Sequence, residues 1–260
     1  MFDELADGVY RRRYTFLDLN VGVVVGDDGV LVVDTRASHR EADELNSELR
    51  TLTSLPVHWV VNTHWHWDHT FGNARFVHAD IWGHDRCRQV LLENPEQMKV
   101  DALGWFPPER RDEIEEVTIV PPEKTFSEQV SLDIGREVVL SHHGRAHTDS
   151  DIVIRVTDAR VAFFGDLVEQ GAPPVFVDAY PVEWPVTLEA AIGDDELVVP
   201  GHGSVMDRHA VDDQLAELTK VAALASFVVA GEMRLEEAIT HGPYAAEVMR
   251  SALERALDAG

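Results

Sequence analysis

The segment richest in metal-binding side chains spans residues 61–73 and reads Val-Asn-Thr-His-Trp-His-Trp-Asp-His-Thr-Phe-Gly-Asn. It follows an apolar run that is typical of a strand. His64 and His66 could not bind one ion from a helix, because residues two apart on a helix point about 200° away from each other. In extended backbone they share a side. The segment is therefore predicted to be a loop at a strand end, with His64 and His66 directed at one ion and Asp68 and His69 able to reach a second.

A polar turn with surface histidines is the alternative interpretation of this segment. The histidines would then stack on Trp65 and Trp67. Imidazoles and carboxylates at this density repel their like neighbours when they are charged and are rarely placed together without an ion. The metal-binding interpretation is therefore favoured.

Three more candidate ligands follow other apolar runs. His147 lies after the predicted strand that ends near Leu140, Asp166 closes a predicted hairpin, and His202 follows the apolar run at residues 197–199. Strand ends are where sites form in α/β sheets, because the strand fixes a side chain while the loop leaves it open to solvent. These residues are expected to join the first four.

The chain shows the same order of elements twice. Each half contains a hairpin that ends in an aspartate, Asp34 in the first half and Asp166 in the second. The pattern predicts an α/β sandwich of two similar halves, in one compact domain over residues 1–260 with a helical C-terminal region at about 210–260. A strand is also predicted to begin at Phe76-Val77, and an irregular surface stretch to follow a helix at residues 84–93. The other predicted elements are strands at 21–25, 30–33, 57–61, 137–140, 152–156, 161–164 and 197–199, and helices at 38–53 and 185–192.

The composition excludes several classes of partner. Acidic residues outnumber basic ones by 47 to 22 in 260 residues, giving a formal charge of −25 that repels nucleic acids and anionic membranes. Cys87 is the single cysteine, so neither an intrachain disulfide nor a thiolate metal cluster can form. The first residues lack the pattern of a signal peptide, and no apolar run approaches the ~20 residues of a membrane span. We therefore expect a soluble, cytoplasmic protein that binds neither nucleic acid nor membrane.

The pattern His64-x-His66-x-Asp68-His69, followed in order by His147, Asp166 and His202, resembles the metallo-β-lactamase superfamily over about residues 8 to 209. The resemblance implies a four-layer αβ/βα sandwich with a site for two metal ions at one edge. It further implies the aspartate-bridged dinuclear type. In that type His64, His66 and His147 bind the first ion, Asp68, His69 and His202 bind the second, and Asp166 bridges the two.

The number of candidate ligands points independently to an open site. A closed structural zinc needs only four protein ligands, whereas seven ligands that serve two ions leave coordination positions free. Two divalent cations can lower the pKa of a shared water toward ~7 and so supply a hydroxide nucleophile. We therefore expect a metallo-hydrolase with two divalent ions, zinc by default and iron or manganese as alternatives, and we expect Asp68 to act catalytically by orienting the hydroxide.

Differences between this sequence and the best-known members of the superfamily narrow the range of expected substrates. In the best-known zinc β-lactamases a cysteine stands at the Asp166 position, and a lysine three residues later holds the drug's carboxylate. This chain has Glu169 there, which would repel that carboxylate. The basic residues with which glyoxalase II holds glutathione have no recognisable counterpart. The expected substrate is a small, neutral or apolar ester, lactone, thioester or amide.

Several residues are candidates for contacts around the metal site. Asp34 is predicted to hydrogen-bond a ligand histidine or its loop, with a helix cap or turn acid as the alternative. Side chains near the expected rim could line an apolar substrate site, with simple core packing as the alternative. These candidates are Trp67, Phe71, His84, Trp105, Phe106, Tyr180 and Trp184.

Two other functions remain open at this point. Iron-dependent sulfur dioxygenases on the same scaffold keep the equivalents of His64, His147 and Asp166 around one iron. A non-catalytic metal-binding or partner-binding module would have closed coordination and no turnover. The complete set of seven favours two ions and hydrolysis, while the oligomeric state stays open.

Overall fold

Two β-sheets form the centre of the molecule. The computed structural model describes residues 1–259, so Gly260, the last residue of the predicted helical region, lies outside the described residues. The first sheet has seven strands in chain order, and the second has five in the order β12-β11-β10-β9-β8. The strands are β1 Asp3–Ala6, β2 Val9–Arg13, β3 Asn20–Val25, β4 Val30–Val33, β5 Val57–Val61, β6 Asp80–His84, β7 Lys124–Phe126, β8 Gln129–Asp133, β9 Glu137–His142, β10 Ile152–Val156, β11 Val161–Gly165 and β12 Leu197–Pro200.

Helices cover the outer face of each sheet. In the first half, Ser38 caps α1 by accepting a hydrogen bond from the Glu41 backbone N–H, as a serine at this position is expected to do. Within residues 1–259 the helices are α1 His39–Leu52, α2 Trp67–Thr70, α3 Asp85–Glu93, α4 Pro95–Leu103, α5 Asp112–Glu115, α6 Trp184–Ala191, α7 Arg208–Val229, α8 Leu235–His241 and α9 Ala246–Ala259.

The alternation of side chains along β3 shows how the layers are assembled. Val21 and Val23 pack in the cluster that α1 covers, whereas Val24 faces the second sheet. Gly22 also faces that sheet, and a Cβ there would lie 2.4 Å from the ring of Phe163. The two sheets can therefore approach this closely only because residue 22 is a glycine.

The order of the four layers is helix, sheet, sheet, helix. One apolar cluster joins α1 to the outer face of the first sheet, a second fills the space between the sheets, and a third joins α6, α7, α8 and α9 to the outer face of the second sheet. The predicted αβ/βα sandwich is confirmed. A fourth cluster, which includes Phe71, Leu91 and Met98, packs helices α2 to α4 beside the first sheet.

The sequence interpretation was wrong in the middle of the chain. No strand begins at Phe76-Val77: Phe76 ends a 3-10 turn and is buried, Val77 is 75% exposed, and the strand starts at Asp80. The stretch expected to be irregular contains α4 and α5. Pro95 stands at the first position of α4, where the missing N–H of proline has no helical partner to lose.

No helix within residues 1–259 is both long and apolar enough to cross a lipid bilayer.

Candidate metal centre

Strand ends of both sheets place the seven candidate ligands at one edge of the sandwich. Parallel pairing brings the ends of β4, β5 and β6 to one edge of the first sheet, and pairing of β11 with β12 does the same in the second. Asp166 follows β11 directly, and His64 lies in the loop after β5. The predicted loop extends through His66, which precedes α2, so that Asp68 and His69 lie on a single helical turn.

The side chains converge in two groups. Within each group the ligand atoms lie within 4.8 Å of one another. In the first group, His66 Nδ1 is 3.0 Å from His64 Nε2 and 2.8 Å from His147 Nε2. In the second, His69 Nε2 is 3.4 Å from His202 Nε2. The groups consist of His64, His66, His147 and Asp166, and of Asp68, His69 and His202.

Asp166 lies between the two groups. Its Oδ2 is 3.3 Å from His147 Nε2 and 3.5 Å from His202 Nε2, and its Oδ1 is 3.3 Å from His69 Nε2. Oδ1 is buried and has no hydrogen bond of good geometry within the described chain. Buried polar atoms are nearly always paired. This orphaned oxygen, together with imidazole nitrogens that face one another, fits two divalent cations bound by histidine and carboxylate.

In most of these rings, the nitrogen that faces away from the centre has a hydrogen-bond partner. His69 Nδ1 donates to Asp34 Oδ2 over 2.8 Å, and His202 Nδ1 donates to the Leu17 carbonyl over 2.7 Å. His66 Nε2 lies 3.3 Å from Asp178 Oδ2. Such partners fix the ring orientation and the tautomer, leaving the other nitrogen free for an ion.

Asp34 supports both groups. Besides His69, it accepts hydrogen bonds of 2.8 Å from the Thr63 backbone N–H and from the Thr63 hydroxyl. Because the hydroxyl donates to Asp34, its oxygen accepts from His64 Nδ1, which is 3.0 Å away. One carboxylate thus orients His69 directly and His64 through Thr63, where the sequence predicted a bond to a ligand histidine or its loop.

Burial keeps two histidines of the first group, His64 and His147, neutral. It lowers the pKa of His64 well below its usual value and lowers that of His147 to about 3. A neutral imidazole is the form that binds a metal. These rings are therefore ready for an ion without losing a proton.

Carboxylates reverse the effect of burial in the second group. Burial alone would lower the pKa of His69, but Asp166, Asp68 and Asp34 raise it well above its usual value. The pKa of His202 is raised in the same way, since Asp166 and Asp68 outweigh burial. Without an ion, the imidazoles of this group therefore hold protons that a bound cation would displace.

The structure corrects the expected substrate-lining role of several aromatic residues. Phe71 and Trp184 have no exposed surface, and Phe106 is 2% exposed, so they belong to the hydrophobic core. Trp67 is nearly buried beside Phe71 and Phe106. The sequence placed these residues in segments near the expected rim but did not show which way they face, and apolar packing determined that direction.

Trp184 and His84 have structural contacts. Trp184 donates to the Leu167 carbonyl, and its ring packs edge-on against His147 with a centroid distance of 5.5 Å. His84 caps α3 by accepting from the Arg86 N–H and stacks on His142 at 4.1 Å. Trp184 therefore supports His147 from behind, whereas His84 supports the start of α3.

Trp105 and Tyr180 retain exposed surface. Trp105 is 57% exposed, and Tyr180 is partly buried with its ring against the Arg145 guanidinium, 4.4 Å from the centroid. The Tyr180 N–H donates to the carbonyl of Ala146, the neighbour of His147. These two residues remain candidates for the rim of the site.

Sequence reasoning missed three partners of the histidines. They are Asp178, the Thr63 hydroxyl and the Leu17 carbonyl. Thr63 could have been found, because it precedes His64 at the strand end. Asp178 lies in an irregular segment, and a backbone carbonyl has no sequence signal.

A four-layer αβ/βα sandwich with a His- and Asp-rich site for two metals at one edge defines a class of metalloprotein. Residues 14–202 match the metallo-beta-lactamase superfamily. The chain therefore belongs to this superfamily.

A curated relative is similar over most of this chain. The 2,4-dinitroanisole O-demethylase subunit alpha of Nocardioides sp. (strain JS1661) is 27% identical over 227 residues, which cover 85% of this chain and 61% of that protein. This chain thus matches less than two thirds of that relative's length.

Solved structures share the fold. A metallo-beta-lactamase from Pontibacter korlensis is 19% identical with a TM-score of 0.66, and the match covers 84% of this chain and 98% of that one. The metallo-beta-lactamase FIM-1 from Pseudomonas aeruginosa, solved in its mono-zinc form, is 18% identical with a TM-score of 0.67, covering 86% and 96%. At these identities the similarity shows the fold alone.

Proposed function

We propose that the protein is a metal-dependent hydrolase that attacks the carbonyl of an ester, lactone, thioester or amide. The observation that carries this proposal is the meeting of the two ligand groups at Asp166, whose Oδ2 lies within 3.5 Å of a histidine from each. The family match is consistent with hydrolysis but does not fix the reaction, because one fold can serve many chemistries.

The seven candidate ligands form two sets, one for each cation. His64, His66 and His147 hold the first, and Asp68, His69 and His202 hold the second, with Asp166 shared. The nitrogen-rich donor set fits zinc best, with iron and manganese as alternatives. When bound, two divalent cations lower the pKa of water toward ~7 and polarise a carbonyl oxygen.

Asp68 is the residue we propose to orient the attacking water. Its Oδ2 lies 3.3 Å from His202 Nε2 and 3.6 Å from His69 Nε2, and its side chain is 11% exposed. A carboxylate with this partial access can accept a hydrogen bond from a water and direct the oxygen lone pair at a substrate carbon.

The surroundings of the site favour a neutral or apolar substrate. Glu169 is 7% exposed near Asp166, and burial, followed by the charge of Asp166, raises its pKa to about 8. A buried carboxyl offers no cation to a substrate carboxylate.

Hydrolysis of an activated aryl ether is a second candidate reaction. It is favoured by the similarity, over 85% of this chain, to a protein named as an O-demethylase of 2,4-dinitroanisole. Hydroxide would add to the electron-poor ring carbon that bears the methoxy group, and the carbon–oxygen bond to methoxide would then break. Methoxide leaves as methanol after taking a proton, so no oxidant is needed.

A hydrolysis screen tests the proposal. The protein loaded with zinc, iron or manganese is assayed on aryl esters, lactones, acyl thioesters, β-lactams and 2,4-dinitroanisole. His66→Ala serves as the blank, and His209→Ala, whose side chain is 86% exposed on α7, serves as the matched control. We expect turnover of a carbonyl substrate or the aryl ether by the wild type and by His209→Ala, and its loss in His66→Ala.

Two results would overturn the proposal. Equal rates for the wild type and the His66→Ala blank would mean that the site does not catalyse the reaction. Oxygen consumption with one iron per chain, and no hydrolysis, would identify an oxygenase instead.

A further inference from the structure

The loop between β2 and β3 crosses from the first sheet to the candidate metal centre with an unusual backbone. Leu17 and Asp18 both adopt left-handed conformations, with φ of 59° and 58°. Residues with a Cβ avoid this region because the Cβ crowds a carbonyl oxygen. Two such residues in succession persist only if other contacts hold them there.

The left-handed turn is in contact with a candidate ligand of the second group. The Leu17 carbonyl accepts from His202 Nδ1 over 2.7 Å, and the Asp18 carbonyl accepts from the Gly203 N–H over 2.9 Å. Because Nδ1 is held as the donor, Nε2 is the nitrogen left to bind an ion once its own proton is displaced. That Nε2 lies 3.3 Å from Asp68 Oδ2 and 3.4 Å from His69 Nε2.

An ion pair holds the turn in this conformation. The Arg13 guanidinium donates to both carboxylate oxygens of Asp18, and its Nη1 also donates to Ser204 Oγ over 2.9 Å. On the other side of the turn, Asn20 Nδ2 donates to the carbonyls of Pro200 and Gly203. Hydrogen bonds on both sides of the turn therefore hold it against the segment that carries His202.

We propose that Asp18, held by Arg13, is a positioning residue that sets the affinity of the second group for its ion by keeping the Leu17 carbonyl on His202. The proposal rests on the proposed function, since it takes His202 to bind an ion. The described contacts of the first group run to Thr63 and Asp178 instead. Loss of the Asp18 carboxylate therefore affects the second ion selectively.

The experiment compares three aspartate variants by competition titration of Zn²⁺ against a chromogenic chelator. Asp18→Ala removes the carboxylate from a left-handed position. Asp18→Asn keeps an acceptor for Arg13, and asparagine tolerates this backbone region. Asp3→Ala is the matched control, because Asp3 pairs with Arg11 at 2.6 Å in the same sheet and is similarly exposed, at 54% against 46%.

We expect Asp18→Ala to raise the second Zn²⁺ dissociation constant about tenfold, the range seen when partners of ligands are removed, and to leave the first unchanged. Asp18→Asn should keep most of the wild-type affinity for the second Zn²⁺, and Asp3→Ala should keep all of it. The visible spectrum of the Co²⁺-loaded protein should lose second-site intensity in Asp18→Ala at limiting metal. Arg13→Lys, which keeps the charge but loses the planar fork, should show a smaller change of the same kind if Asp18→Ala does not fold.

Equal changes in both constants, or unchanged constants with a lower Tm, would overturn the proposal and make the turn a purely structural element. Failure of the proposed function is distinguishable: without a two-ion site the wild type itself would bind fewer than two ions, and without hydrolysis the two dissociation constants would still be measurable.

Discussion

His69 and Asp34 are joined by a 2.8 Å hydrogen bond between Nδ1 and Oδ2, buried at the edge where the two sheets meet. Asp34 has a left-handed backbone, with φ of 66°, at the end of the first hairpin. Asp166 ends the corresponding hairpin of the second half. The two halves thus contribute equivalent aspartates, one that is placed to bind ions and one that orients histidines.

Replacing Asp34 should weaken the binding of both ions. Asp34→Ala removes the acceptor of His69 Nδ1 and of Thr63, and thereby loosens a histidine of each group. We expect affinity for both ions to fall ~10- to 100-fold. Equilibrium dialysis with elemental analysis checks this. Asp28→Ala, an exposed position in the turn at the opposite end of the same hairpin, is the control, and unchanged affinities in Asp34→Ala would contradict the assigned role.

Replacing Asp178 should weaken the binding of the first ion alone. Its carboxylate lies 3.3 Å from His66 Nε2, and the pKa of Asp178 is lowered first by this hydrogen bond. We expect Asp178→Ala to raise the first dissociation constant about tenfold. Stepwise metal titration measures it. Glu183→Ala, which removes an acid paired with Arg145 in the same segment, should leave both constants unchanged; a matching loss there would show a general charge effect.

The metal-free protein should lose stability as pH rises through the range set by Glu169. Its pKa rises from 4.5 to about 8 on folding, mainly by burial. Between these values the folded chain keeps a proton that the unfolded chain has lost, so the free energy of unfolding falls with increasing pH, by up to about 1.4 kcal/mol per unit. Glu169→Gln cannot ionise and should remove this contribution.

Urea unfolding of the metal-free protein from pH 4.5 to 8 checks the effect of Glu169. The difference in unfolding free energy between wild type and Glu169→Gln should shift in favour of the variant as pH rises. A difference that is constant with pH would show that Glu169 ionises normally in the folded protein.

The spacing of the sheets should depend on Gly22. A Cβ at this position would lie 2.4 Å from the Phe163 ring, so Gly22→Ala should destabilise the protein by about 1–3 kcal/mol through overpacking. Gly104→Ala, where the Cβ meets only the Asp101 carbonyl at 3.3 Å, is the control. The urea midpoint measures both, and equal midpoints would contradict close packing at this point.

The ligand motif was predictable because its geometry is local. The His64 and His66 spacing requires extended backbone, and strand ends collect at a common sheet edge, so Asp166 and His202 could be placed from apolar runs alone. The family resemblance then supplied the arrangement of the four layers and the division into two groups.

Other features could not be predicted because they depend on tertiary packing. The direction of Phe71 and Trp184 follows from the core that surrounds them. The Leu17 carbonyl meets His202 across the two halves of the chain, and any residue supplies a carbonyl. The start of β6 at Asp80 depends on its pairing with β5, which local propensity does not reveal.

The metal stoichiometry of the wild type, His66→Ala and His202→Ala shows whether the seven side chains form two adjoining cation sites. Each protein is stripped of metal, titrated with Zn²⁺ and analysed for bound ions. We predict two ions per chain for the wild type and one tightly bound ion for each variant. No bound ion in the wild type, or two in both variants, would contradict the assignment of these side chains to two cation sites.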